Sequence, residues 1–185
     1  GLLADGVTPC PNCANPSTPT TAGIAEEISY ESLPIILNGT PPASGWQFKY
    51  STCCRSNALS NINGGGSLGL TVRAVMYPYL GISTYPCFDS SPYFVEPPVP
   101  QFCTDQPIKY ENFAIDPDLD SLVYSWGQPL DDIGNPLPYA PGYSNTSPYP
   151  SATQNPANTA ATINSKTGEV SFHSYTGGYF LTNIK

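Results

Sequence analysis

The sequence predicts an all-β chain, folded as two tandem antiparallel β-sandwiches. Three observations carry this. Short stretches that alternate apolar and polar residues recur along the chain, divided by turn signals at spacings of roughly 8–12 residues, the pattern of sandwiches rather than of parallel α/β folds. The 22 prolines and 16 glycines among 185 residues break helices and favour turns. The 13 tyrosines favour strands and recognition surfaces.

The elements follow in order. Residues 1–23 carry little pattern and read as an extended N-terminal arm marked by Cys10, Cys13, Pro16 and Pro19. Residues 24–100 are expected to form the first sandwich. Its strand candidates lie around Ile28 and Tyr30, and at Ile35–Leu37. Next, Trp46, Phe48 and Tyr50 alternate with Gln47, Lys49 and Ser51, a strand with one apolar face. Gly64–Gly66 is a flexible turn. Leu70, Val72, Ala74 and Met76 then share a face opposite Thr71, Arg73 and Tyr77. Four prolines within residues 92–100 make a connector.

The pattern restarts after Cys103, and residues 101–185 are expected to form a second, Ig-like sandwich. Ile108–Ile115 reads as one strand, and Leu122, Tyr124 and Trp126 alternate with polar neighbours in the next. Residues 127–158 are Pro-, Asn-, Tyr- and Ser-rich and loop-like. Thr159–Ile163 is a strand, Thr167–Gly168 a turn, and Val170 and Phe172 face the core. Gly177–Gly178 leads into a last strand, Tyr179–Ile184.

Composition limits function. Apolar residues, 39% of the chain, suffice for a core, whereas charged residues are only 11%, under half the usual share. A net charge of −8 opposes nucleic acid, which needs a basic face, and an anionic membrane surface. No run of 18 apolar residues is present, so membrane insertion is not expected. Nor is there a basic-then-apolar start of the kind that marks a signal peptide. The six cysteines, Cys10, Cys13, Cys53, Cys54, Cys87 and Cys103, point to disulfides in an oxidising, extracellular compartment. Adjacent Cys53 and Cys54 in a strand would face opposite ways and take different partners. Six cysteines allow 15 pairings, among which spacing does not choose.

Asp116, Asp118 and Asp120 form an Asp-x-Asp-x-Asp run, suited to calcium, which takes oxygen ligands. Asp89, Asp131 or Asp132 would add to the set. The sixth and twelfth positions are Ser121 and Gly127, which excludes an EF-hand. The competing reading is an Asp-rich turn whose carboxylates cap backbone amides. His173, the only histidine, sits on the polar side of its strand. No nucleophile–base–acid set assembles around it, and the acidic pairs Glu26/Glu27 and Asp131/Asp132 are adjacent and point apart, so no enzyme is expected. Asn38-Gly-Thr40 and Asn145-Thr-Ser147 are N-glycosylation triplets.

One run of residues has a family resemblance. Trp46, Tyr50-Ser-Thr-Cys-Cys-Arg-Ser-Asn57, Asn61-Ile-Asn63, Ser90-Ser-Pro-Tyr-Phe94, Phe102-Cys103 and Asp116-Pro-Asp-Leu-Asp-Ser-Leu-Val-Tyr-Ser125 resemble the surface modules of large secreted Bacteroidota proteins, gliding-motility-associated or adhesin-like. The resemblance covers roughly residues 28–185. Ile163-Asn-Ser-Lys-Thr-Gly168 and Gly177-Gly-Tyr-Phe180 also look like cadherin-like or PKD-like Ig domains. The resemblance implies surface display, adhesion or fibre building, O-glycosylation at Ser121, and Cys103 bonded to Cys53 or Cys54. It also implies a Gly where Leu119 stands here, and a further strand after Tyr179–Ile184. The resulting expectation is a structural subunit of an extracellular filament or adhesin, a homopolymer in which copies share a strand head to tail. Leu2, Leu3 and Val7 of the arm would supply the donated strand. The competing reading is a monomeric carbohydrate- or protein-binding module in which Trp126, Tyr139 and Tyr143 grip the ligand.

Overall fold

A computed structural model describes residues 33–78, 90–95 and 102–185. Backbone contacts divide the chain into two units, Gly1–Gly39 and Thr40–Lys185. In the smaller, residues 33–39 have no regular secondary structure.

The larger unit is all-β. Its strands are β1 (Trp46–Thr52), β2 (Leu70–Met76), β3 (Tyr93–Phe94), β4 (Pro107–Tyr110), β5 (Ala114–Ile115), β6 (Thr159–Ile163) and β7 (Val170–His173), with one 3₁₀ turn at Gly65–Ser67. They pair antiparallel in three small sheets, β1-β2, β3-β5 and β4-β7-β6.

The alternating stretches of the sequence become the longest strands. In β1-β2 the register sets Trp46 opposite Met76, Phe48 opposite Ala74 and Tyr50 opposite Val72. Directly opposed residues share a face, so this face of the ribbon is apolar. The hairpin between β6 and β7 closes as its Thr-Gly pair predicts. Gly168 takes φ 73°, and its N–H donates to Asn164 O at 2.9 Å. Val170 and Phe172 of β7 are buried with Ala161 and Tyr149, and Phe102, Ile108, Tyr110 and Trp126 pack around them.

Three elements differ from expectation. Residues 108–115 are two strands, because both the backbone and the side-chain N–H of Asn112 donate to Gly168 O. β4 therefore joins β7, whereas β5 joins β3. Residues 121–126 and 179–184 do not form strands of their own. Ser125 and Lys185 exchange two backbone hydrogen bonds, while Ser60 N–H reaches Tyr179 O; each segment makes single bridges only, Trp126 with Ile184 and Leu59 with Tyr179.

The boundary expected near residue 100 falls inside the larger unit. Asn61 O accepts from Ala140 N–H, Pro138 O accepts from Asn63 N–H, and Leu130 O accepts from Thr71 N–H. The first half of this unit is thus bonded to the loop-like stretch 127–158.

Candidate functional site

The acidic run folds as a capped turn. Asp116 is buried at 7% exposure, and its Oδ1 accepts the backbone N–H groups of Asp118 (2.8 Å) and Asp120 (3.3 Å). Asp118 Oδ2 accepts Ser90 N–H at 2.6 Å. Leu119, at the tip, has φ 62° and is 89% exposed. Two of the three carboxylates therefore serve backbone amides. Asp131 does the same in its own turn, accepting from Ile133 and Asn135, while Asp132 lies against Gly69; Asp89 lies outside the described residues. No group of three or more His, Cys, Asp or Glu side chains is arranged to hold a metal ion among the described residues.

The structure describes three of the six cysteines. β1 ends at Thr52, so strand alternation does not apply to Cys53 and Cys54, whose sulfurs lie against each other. Cys103 is exposed. Cys10, Cys13 and Cys87 lie outside the described residues, as do the arm residues Leu2, Leu3 and Val7 and the pair Glu26/Glu27. Of the glycosylation candidates, Asn38 and Ser121 are exposed and Asn145 is half-buried.

His173 is half-buried rather than solvated. Its Nε2 lies 3.6 Å from Asp105 Oδ1, and its ring packs on Tyr175 at 4.7 Å.

Two larger features remain. The first is an aromatic groove of about 900 Å³ over the core face of β4 and β7, where Phe102, Tyr110, Tyr149, Phe172, Tyr179 and Phe180 contribute to its wall. Tyr149 stacks on Phe172 at 4.4 Å, and Phe102 stands edge-on to Phe172 and stacks on Tyr110. The Tyr110 and Tyr149 hydroxyls are 2.9 Å apart. Burial pushes both phenols above the ordinary tyrosine range, and the contact with Tyr149 raises Tyr110 further. Asn112, Ser174, Thr176 and Thr182 add amide and hydroxyl groups, and none of the described residues that line the groove is charged. Trp126, Tyr139 and Tyr143, the aromatics expected to grip a sugar, are not in this lining. Trp126 packs edge-on against Tyr149 at 6.3 Å.

The second feature is the β1-β2 ribbon. Its apolar face is open: Phe48 is 42% exposed, Tyr50 41%, Val72 59% and Met76 37%. Its outer edge is open too. Thr71 N–H points away from β1, to Leu130 O. Backbone groups alternate in direction along a strand, so Val72 and its partner Tyr50 face each other, and Gln47, Lys49 and Ser51 face outward. β1 pairs with no second strand among the described residues.

Neither feature was fully legible in the sequence. The ribbon's two strands were, but not that several side chains of their apolar face stay exposed. Tyr149 was missed because it has no periodic neighbours. Its one signal is Pro148-Tyr-Pro150, whose two prolines are themselves fully buried.

Comparison with protein-family models, with curated proteins and with solved structures found no match.

Proposed function

We propose that this chain is a structural subunit of an extracellular filament or surface adhesin, in which copies join by sharing a strand. The observation that carries the reading is the open outer edge of β1. A two-stranded ribbon is marginal in water, and a third strand is what usually secures it. An edge strand with unpaired amides is a template for another chain. The ribbon's exposed apolar face supports the same reading, since large exposed apolar patches mark interaction sites.

A donor is at hand among the described residues. In Leu33–Leu37, Leu33 is 87% exposed, Ile35 69%, Ile36 82% and Leu37 42%. Extended as a strand, the segment puts Leu33, Ile35 and Leu37 on one face. In a donor added parallel to β1 with that face on the ribbon's apolar side, Pro34, which has no N–H, points away from the acceptor edge, where the lack costs nothing. The φ of Leu119, in the region that favours glycine, supports the likeness to surface modules that carry Gly there.

Sedimentation velocity with negative-stain imaging tests the reading. Polymers are expected, and Gln47→Pro should abolish them while leaving the monomer's circular dichroism unchanged, because Gln47 N–H faces outward. A chain that stays monomeric at every concentration refutes the reading.

The groove favours a second reading. An uncharged aromatic wall dotted with hydroxyl and amide groups suits a neutral saccharide, with Tyr179, 69% exposed, as a stacking platform. A monomer that binds neutral glycans by calorimetry, and loses them on Tyr179→Ala, would favour this reading over the first.

A further inference from the structure

The polar face of the ribbon carries a charge arrangement that the fold leaves unresolved. Lys49 stands directly opposite Arg73 in the β1-β2 register. Side chains so placed share a face, with Cβ atoms about 5 Å apart, and like charges there repel. Both residues are exposed. Neither has an ion-pair partner among the described residues, whose ion pairs are Lys109–Glu169 and His173–Asp105. Two of the six basic residues of a chain with net charge −8 are thus held side by side without a counter-charge among the described residues.

The same chain presents the complementary arrangement at the Asp118-Leu119-Asp120 tip. Both aspartates are exposed there, with Leu119 between them at 89% exposure. Asp118 also accepts Ser90 N–H, whereas Asp120 contributes to the turn only through its backbone N–H. Leu119, at φ 62°, bends the chain between these two residues, so both aspartates are carried on one short turn.

We propose that the Lys49/Arg73 pair of one copy receives the Asp118/Asp120 tip of a second copy. This rests on the reading that copies assemble, and it names a contact that orients them. Docking relieves two repulsions together, between the cations on one copy and between the carboxylates on the other. The patches differ, so the contact is heterologous. It leaves a free ribbon at one end and a free tip at the other, and it propagates unless the rotation closes a ring.

Charge reversal tests it, with assembly followed by sedimentation velocity at low and high salt. Lys49→Glu, and separately Asp120→Lys, should each raise the concentration needed for assembly about fivefold at low salt, the scale of one exposed ion pair. The effect should fade at high salt, where exposed charges are screened. The double variant Lys49→Glu/Asp120→Lys should return to within about twofold of the native chain. If either single reversal leaves assembly and its salt dependence unchanged, or the double variant does not recover, the contact is wrong. Polymers that persist in that case leave strand sharing intact. A native chain that does not self-associate but binds a sulfated polysaccharide through Lys49 overturns the contact and assigns the pair to an anionic glycan.

Discussion

Replacing Asn61 by Ala should cost about 3–5 kcal/mol of stability, more than any surface change. Asn61 is fully buried at 0% exposure. Its Nδ2 donates to Pro148 O and to Leu181 O, both at 2.8 Å, and its Oδ1 accepts Leu181 N–H at 2.9 Å. One side chain thus occupies both backbone groups of Leu181, as a neighbouring strand would, and ties in Pro148. Ala removes all three bonds. A buried polar group left unsatisfied costs roughly 1–3 kcal/mol. The upper end of the sum is not reached, because Leu181 is only half-buried and water can replace part of its bonding. Against a typical total of about 5–15 kcal/mol, such a loss is severe, and it corresponds to a fall in Tm of roughly 10 °C for a chain this long. Urea and thermal melts measure it. The two tryptophans make the test sharper, since Trp46 lies in the ribbon and Trp126 beside the aromatic core. Their fluorescence should change in a single transition in the native chain, because Asn61 bonds across 120 residues to Leu181. A loss below about 1 kcal/mol on Asn61→Ala, or separate transitions for the two tryptophans in the native chain, would refute the reasoning.

Three further outcomes are expected. Gly168→Ala should destabilise by about 2 kcal/mol in urea melts, since it combines a left-handed backbone with a Cβ 2.9 Å from both Asn112 O and the Tyr124 ring; an unchanged melt contradicts the hairpin geometry. Leu119→Gly should be neutral or stabilise by up to about 1 kcal/mol, because the exposed side chain loses no packing while the positive φ is relieved; a loss above 1 kcal/mol would mean that Leu119 packs on something. Burial raises the folded-state pKa of Tyr110 and Tyr149, so their contribution is intact below the unfolded-state pKa near 10 and declines as pH rises above it, when the unfolded chain releases the protons first. Urea melts from pH 8 to 11 should be flat and then fall, with a shallower fall in Tyr149→Phe; a curve flat to pH 11 contradicts the buried hydroxyl pair.

The parts of the fold legible in the sequence are those set by short-range rules. Alternation located β1, β2, β6 and β7, because side chains alternate faces along a strand, and Thr167–Gly168 located the turn that joins the last two. What alternation does not carry is which strand a segment meets. Residues 108–115 alternate well enough for one strand, but Asn112 spends two N–H groups on Gly168 O, and the chain changes sheets. Residues 121–126 alternate as well, yet Tyr124 N–H goes to Ser165 O and no ladder develops. The boundary placed at the proline-rich connector had a sound local basis, and the bonds that run across it come from residues in 127–158, a stretch without periodicity.

The candidate sites divide along the same line. An acidic run is visible in a sequence, but whether its carboxylates face outward or cap their own turn depends on φ and hydrogen bonding, and here Asp116 turns inward. The like-charge pair Lys49/Arg73 exists only in the register, since the two residues are far apart in sequence and become opposed when β1 meets β2. The ribbon's polar face therefore bears a like-charge pair with no ion-pair partner among the described residues, while its other face bears exposed Phe48, Tyr50, Val72 and Met76. Each of these costs free energy in an isolated subunit, the first by repulsion and the second by hydration of apolar surface. Each cost disappears when a copy supplies carboxylates to one face, or a strand and its apolar side chains to the edge. The same seven-residue strand, β1, is implicated by backbone, by apolar face and by charge. These are three physically independent reasons to place the proposed contact between copies there, rather than at the half-covered aromatic core, whose groove is better matched to a small neutral ligand.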